Sequence, residues 1–443
     1  MHKPTVAIVR YKKPLESVRR AVELSHGLDR LPANGKVFVK PNIVFWTRAV
    51  PFPKWGVITT SRVVEDMVVL LKERGVADIV IGEGMVTLDP QDTETPAHAF
   101  ESLGYGVLKK RYGVECVNVF ERPFERVDLG AGVALNFNVD ILRSDFVVNL
   151  PVLKTHAQTV VSLGIKNLKG MIDIPSRKKC HSADPEKDLN YMIARLANKL
   201  PPFFTLLDGI YTNARGPSFD GKIRRSDVLV ASPDVLSADM VGAKLLGYDP
   251  QDVPHLVHVA RERGRSLALS DVQVLGERIE DVASYHEHAF PYNEANTLPR
   301  AMERRGIEGL SYPQYDLTLC TYCSALNGVI LTTIAYAWQG EPWDDVEVLT
   351  GKIMQPTPGK KKTILIGECM YRANKDHPAI QEMIAVKGCP PSPKAVVEAL
   401  HRAGIEVNAA IFEHIDAAPG FFMARYEGKA GFEESFFTVG LGG

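Results

Sequence analysis

Short apolar runs alternate along the chain with longer stretches in which apolar positions recur every three or four residues. "KVFVK" (Lys36–Lys40) is a short β run. "TTSRVVEDMVVLLKERG" opens on hydroxyl caps. It places Val63, Met67, Leu70 and Leu71 at helical spacing and closes at Gly75. "ADIVIGEG" predicts a buried strand ending at Glu83, "ETPAHAFESLG" a helix, and "GVECVNV" a strand. "SDFVVNLP" and "FFTLLDGI" predict further strands, the second ending at Asp208. "SDVLVASPDVLSADMVGAKLLG" reads as strand, turn and helix, and "VQVLG" (Val272–Gly276) as the last strand of this series. Strands alternating with helices predict an α/β fold with a mostly parallel sheet flanked by helices.

The pattern loosens over residues 281–315, where His, Asn, Pro and charge accumulate in "YHEHAFPYNEANTLPR". Three parts follow: an α/β domain over 1–280, a connector over 281–315, and a smaller α/β domain over 316–443. The last carries strands "YDLTL", "KKKTILIGEC" and "IEVNAAIF" and the helix "PPSPKAVVEALHRAG". A Phe-rich tail is expected to dock on the body or on a partner. The N-terminus reads as a first strand and not a signal peptide. The longest apolar stretch, Val329–Trp338, is too short to span a bilayer.

Charge changes the picture only locally. In 443 residues, 52 Lys and Arg face 53 Asp and Glu, so no global field attracts nucleic acid or an acidic membrane. Yet "VNLPVLKTHAQTVVSLGIKNLKG" supplies Lys154, His156, Lys166, Asn167 and Lys169, with no acid between Phe146 and Ile172. Read as a helix, Gln158–Lys169 puts Thr159, Ser162, Lys166 and Lys169 on one stripe, with Val161, Ile165 and Leu168 facing the core. Lys154 and His156 then lie at a strand end beside a helix N-terminus, where open α/β sheets bind ligands. Such a stripe is also what a solvated lysine face looks like. As a site it suits an anion, with lysines stabilising developing negative charge and His156 passing a proton. Lys40, Asn42, Glu83 and Asp208, at other strand ends, are candidates for the same pocket.

The blocks "KPNIV", "IGEG", "AFESLGY", "DFVVNLPVLKTH", "LGIKNLKG", "LLDGI" and "LVASPDVLSADMVGAKLLG" occur in an order that resembles the domain-of-unknown-function family numbered 362. The resemblance covers roughly Lys36 to Gly247. It implies an α/β fold, an association with iron–sulfur cysteines, and a site at Lys40, Asn42, Lys154, His156, Lys166, Asn167, His181 and Asp208. It names no reaction. Cys180, beside His181, is not carried over.

Six cysteines in a chain expected in the reducing cytoplasm call for an explanation other than disulfides. Cys116 reads as a core thiol. Cys320 and Cys323 form a C-x-x-C, Cys369 follows after 45 intervening residues, and Cys389 after a further 19. Four thiols in one domain suit a [4Fe–4S] cluster or a four-cysteine zinc site. A single C-x-x-C with two isolated cysteines, one followed by proline, favours the cluster. "GEC…GCPPSPKA" also resembles the proximal-cluster half of hydrogenase and respiratory complex I small subunits, which implies a flavodoxin-like domain holding one [4Fe–4S]. The gap between Cys323 and Cys369 is shorter than in that pattern.

The expected protein is thus a cytoplasmic iron–sulfur redox enzyme acting on an anionic small molecule. It would work with a redox protein partner, with no nucleic acid or membrane, and homo-oligomerisation stays open. Two alternatives stand beside it. One is a non-redox Lys/His acid–base or metal-assisted enzyme with a structural cluster, loosely similar in layout to nickel-dependent lactate racemases. The other is an electron carrier or binding protein without its own chemistry.

Overall fold

The computed structural model describes residues 3–87, 89 and 91–440. In chain order its strands are β1 (Thr5–Arg10), β2 (Val37–Pro41), β3 (Ile79–Glu83) and β4 (Glu115–Asn118). The pair β5 (Phe124–Asp128) and β6 (Ala134–Asn138) follows, then β7 (Phe146–Leu150), β8 (Val152–His156) and β9 (Val160–Ser162). Next come β10 (Phe203–Ala214), β11 (Lys222–Ser232) and β12 (Gln273–Gly276). The last four are β13 (Leu310–Ser311), β14 (Val346–Leu349), β15 (Lys362–Ile366) and β16 (Glu382–Val386).

Two compact units result. The first takes the chain up to Ser176, Asn190–Ala289 and everything from Pro419 on. Its main sheet runs β12-β1-β11-β10-β7-β2-β3-β4, with β8 joined to β10 and β9 to β8. β7, β2, β3 and β4 are parallel neighbours, whereas β11 lies antiparallel to both β1 and β10. β2, β3 and β7 are buried on both faces, so each opens on three consecutive apolar residues and not on alternation, with Lys40, Glu83 and Asn149 toward their carboxyl ends. Val37, Val39, Ile79, Ile81 and Val148 pack with Val63, Met67 and Leu71 of the helix Ser61–Glu73. The Phe-rich tail belongs to this same core. Met423, Tyr426 and Phe437 are buried in it, and Phe432 stacks on Tyr211 at 5.8 Å between ring centroids.

The second unit consists of Arg177–Leu189 and Phe290–Ala418. Its sheet is fully parallel, in the order β13-β14-β15-β16. The helices Thr321–Ala337 and Pro393–Arg402 cover it, through Leu326, Ile330 and Ile334 and through Val396 and Leu400. Ser392 caps the second of these by accepting from Ala395 N, one residue ahead of a proline in the first turn.

These facts revise the expected organisation. The connector is not a linker, because Leu298, Met302, Ile307 and Tyr312 are buried in the second unit's core. The tail docks on the first unit, and Arg177–Leu189 belongs to the second, so neither unit is one continuous segment. The small sheet runs 1-2-3-4 and lacks the reversal of strand order that defines a flavodoxin-like sheet.

The expected helix Gln158–Lys169 does not form either. Pro151 breaks the apolar run into β7 and β8, and β8 turns back into β9 with Lys154 opposite Ser162 and His156 opposite Val160. Thr159 and Val161 are β-branched and favour this hairpin over a helix, although the turn holds Val160 at a φ of 63°, which a β-branched residue resists. The remainder is the short helix Gly164–Asn167 and a 3-10 turn, Leu168–Met171.

Candidate functional site

The carboxyl ends of β2, β3 and β8 bring five of the expected residues into one buried network. Lys40 Nζ donates to Glu83 Oε2 at 2.8 Å, to Pro41 O at 2.6 Å and to Asn167 Oδ1 at 3.2 Å. Glu83 also accepts from the backbone N–H groups of Ile43 and Gly84, each at 2.8 Å. Asn42 Nδ2 donates to Asn167 Oδ1 at 3.1 Å, while Asn42 Oδ1 accepts from Lys154 Nζ at 2.6 Å. Lys154 donates as well to Val57 O at 2.8 Å. Lys40 is 0% and Lys154 1% exposed, and Glu83 is equally enclosed. Gly170 closes over the ion pair. A Cβ there would stand 2.3 Å from Glu83 Oε1 and 2.8 Å from Lys40 Nζ, so only glycine fits.

The expectation that Lys154 points into an open crevice is therefore corrected. Its ammonium is held inside the protein by a side-chain amide and a carbonyl. Two cations and one anion occupy the network, in low dielectric. Burial pulls the Lys154 pKa down to about 7; Glu83 opposes that fall and Lys40 adds to it. The network can thus hold or release a proton near neutral pH.

This carries a consequence for stability. From about pH 7 to the ordinary lysine value near 10.5, the unfolded chain keeps a proton that the folded one has lost, so stability rises with pH. Denaturant unfolding at pH 7 and at pH 8.5 should give a gain of roughly 1–2 kcal/mol from this group. Lys154→Met should remove that increment. An unchanged pH slope in the variant would contradict the near-neutral value.

The other expected residues lie outside this set of bonds. Asp208, fully buried, accepts from Thr60 N at 2.7 Å and Ile210 N at 3.1 Å, and burial raises its pKa. His156 Nδ1 accepts from Gln158 N at 3.1 Å, which places the proton of the neutral ring on Nε2. Lys166, half-buried on Gly164–Asn167, is near enough to help depress the pKa of His255, after burial. Lys169 is buried in the following turn. His181 belongs to the second unit, whereas Lys40 and Lys154 belong to the first. Its Nδ1 donates to Leu317 O at 2.8 Å.

Two participants went unnoticed in the sequence. Asn149 Oδ1 accepts from Asn167 Nδ2 at 2.8 Å, and Asn149 Nδ2 donates to Gly164 O at 3.0 Å. Asp239 accepts from Gly164 N at 2.7 Å and Ile165 N at 2.9 Å, and burial lifts its pKa to about 7. An amide in the apolar run "FVVNL" and a carboxylate among the apolar residues of "SADMVGAKLLG" were the available signals.

The second unit carries four cysteines that form no disulfide, at the N-terminal ends of two helices and just after β16. Cys320 caps the 17-residue helix Thr321–Ala337 and Cys323 lies in its first turn. Cys369 lies in the first turn of Glu368–Asn374, directly after β15. Cys389 follows β16, and the two loops are tied by Glu368 N donating to Gly388 O at 3.0 Å. Cys323 shares a hydrogen bond with Cys320. That bond, burial and the charges of Cys320, Cys389 and Cys369 hold its thiol far above the ordinary range. Burial also raises the Cys369 thiol; Lys352 opposes this, while Cys389 and Cys320 add to it. Lys178 Nζ stands 3.3 Å from Cys389 Sγ.

Burial and the neighbouring thiols hold the Cys323 and Cys369 thiols above their ordinary value, and a cationic centre would oppose that rise. The same end of the sheet also offers the positive N-terminus of the helix after Cys320 and the Lys178 ammonium. In donor chemistry the set fits a thiolate-ligated group. Among the described residues, no group of three or more His, Cys, Asp or Glu is disposed to hold a metal ion as it stands. Cys116 is in the first unit, where its Sγ lies 3.7 Å from Tyr105 O and burial pushes its pKa up to about 12.

Residues 37–244 match the family model described as "Domain of unknown function (DUF362)". This part of the chain belongs to the DUF362 family. The match spans β2 through most of the helix Val235–Leu245 and includes the whole Lys40–Glu83–Lys154 network. The four cysteines of the second unit lie outside it. The chain is also similar to the thylakoid-associated protein sll1697 of Synechocystis sp. The two are 29% identical over 253 residues, which is 56% of this chain and 74% of that one. No helix among the described residues is long and apolar enough to cross a membrane.

Proposed function

We propose that the protein is an iron–sulfur redox enzyme. Cys320, Cys323, Cys369 and Cys389 would hold one [4Fe–4S] cluster, and the DUF362 part would act on an anionic small molecule. The observation that carries this reading is that the cysteines lie at one end of a single parallel sheet: a Cβ at Gly367, two residues before Cys369, would stand 3.5 Å from Cys323 Sγ, and Glu368 N donates to Gly388 O, next to Cys389, at 3.0 Å. When bound, such a cluster supplies or accepts one electron. Lys178, beside Cys389 Sγ, and the helix N-terminus at Cys320 would offset thiolate charge.

In the first unit, Lys40 and Lys154 are engaged by the buried network. Lys166, half-buried on Gly164–Asn167, would offer charge to an anionic substrate, and His156 would pass the proton through Nε2. The near-neutral pKa of Lys154 supports a second reading, in which the DUF362 part runs non-redox acid–base chemistry and the cluster is structural. Turnover that ignores added reductant would separate the two. A reducing compartment such as the cytoplasm suits the free thiols.

The test is purification under strict anaerobiosis, followed by an absorption spectrum and iron, sulfide and zinc analysis. A broad band near ~400 nm and about four irons and four sulfides per chain are expected. Stoichiometric zinc without iron would overturn the cluster in favour of a four-cysteine zinc site.

A further inference from the structure

The two ends of the small parallel sheet differ in how their cations are engaged. At the start of β15, Lys360 pairs with Asp345 at 3.1 Å and Lys361 with Asp344. The basic run there is neutralised by adjacent acids. At the opposite end, the one bearing the cysteines, Lys178, Lys352 and Lys387 form no ion pair with an acid among the described residues, whereas Arg372 is paired with Glu368. Lys178 stands on Cys389 Sγ at 3.3 Å. Lys352, two residues after Thr350 and past the end of β14, acts on Cys369, as does Arg372. Lys387 follows β16 directly, is exposed, and lies over the Tyr371 ring at 4.0 Å. The acids Glu368 and Asp316 belong to the same loops, and both are engaged. Glu368 pairs with Arg372 at 2.7 Å, and Asp316 accepts from Thr318 N at 2.6 Å. Cys369 and Cys389 are exposed within this positive rim.

We infer that this edge docks an acidic one-electron carrier protein. The inference rests on the cluster reading above and names the partner that such a site would take. A positive rim around exposed ligand positions steers an acidic surface to within short reach of the redox centre. It repels a basic carrier by the same charge. The exchange would be one electron lost by the carrier and one gained by the [4Fe–4S] cluster that these cysteines would hold, with no bond made or broken.

The full chain, purified anaerobically and with iron and sulfide quantified first, should be titrated with an acidic plant-type [2Fe–2S] ferredoxin. Basic cytochrome c serves as the opposite probe. Ferredoxin should bind at ~20 mM salt and weaken about tenfold or more at ~200 mM, as rim charges are screened. Cytochrome c should not bind. The double variant Arg372→Glu with Lys387→Glu should weaken ferredoxin binding at least about tenfold while keeping its iron. Lys361→Glu, at the opposite end of the sheet, should leave binding unchanged. If the double variant loses iron, Lys387→Glu alone decides, with about a threefold loss expected. Iron-loaded protein that ignores ferredoxin, or binds cytochrome c as well, overturns the docking edge and leaves the cluster reading standing. A chain without iron or sulfide overturns the cluster reading and this inference with it.

Discussion

Replacing Glu83 with alanine should destabilise the protein by about 3–5 kcal/mol, because it leaves the buried Lys40 ammonium without its counter-charge. Lys40 would keep its bonds to Pro41 O and Asn167 Oδ1 but lose the carboxylate that faces it at 2.8 Å. The N–H groups of Ile43 and Gly84 would lose their acceptor at the same time. In a unit this large, a fall in the unfolding midpoint on the order of 10 °C follows. Glu83→Gln retains oxygen for one of those donors and should cost less. Removing both charges, as Lys40→Met with Glu83→Leu, should recover part of the loss, since the desolvated ion pair contributes little net stability of its own. A midpoint for Glu83→Ala within a degree or so of the parent, by calorimetry, would mean that water reaches Lys40 and that the network is not closed.

On the proposed cluster reading, serine at any of Cys320, Cys323, Cys369 or Cys389 should strip most of the iron from anaerobically purified protein and abolish the visible band. Cys323→Ser should have the largest effect. Its side chain is half-buried, hydrogen-bonded to Cys320 and near all three other thiols. Cys116→Ser should leave iron at the parent level, because that thiol sits in the first unit beside Tyr105 O. Retention of full iron by Cys369→Ser together with loss in Cys116→Ser would show that the ligand set has been drawn wrongly. Thermal midpoints measured alongside would separate a lost ligand from a lost fold.

Much of this architecture is legible without coordinates. The both-face burial of β2, β3 and β7 follows from the three consecutive apolar residues on which each opens. The helices Ser61–Glu73 and Pro393–Arg402 follow from their spacing, the latter also from its serine cap and N-terminal proline. Lys40, Asn42, Glu83, Lys154 and Asn167 are all candidates for one place, because each lies at or just past a strand end or in the lysine-rich stretch. What they do there is not legible. A lysine at a strand end looks the same in sequence whether it faces a ligand or a buried glutamate 43 residues away along the chain. The segment after His156 misleads for a local reason, as its lysines fit a helical stripe while its β-branched residues fit a hairpin.

Periodicity, capping and proline act within a few residues. The order of amino acids alone therefore specifies the elements, the parallel α/β character and the short-range turns. Which distant segments share a core is settled by packing over the whole chain. Packing assigns the tail from Pro419 to the first unit and Arg177–Leu189 to the second, so His181 and the Lys40–Lys154 network fall in different units. Packing also sets the role of the lysines. Burial and hydrogen bonding come from neighbours far apart in the chain, and they make Lys154, expected as an exposed cation, an enclosed group that loses its proton near pH 7.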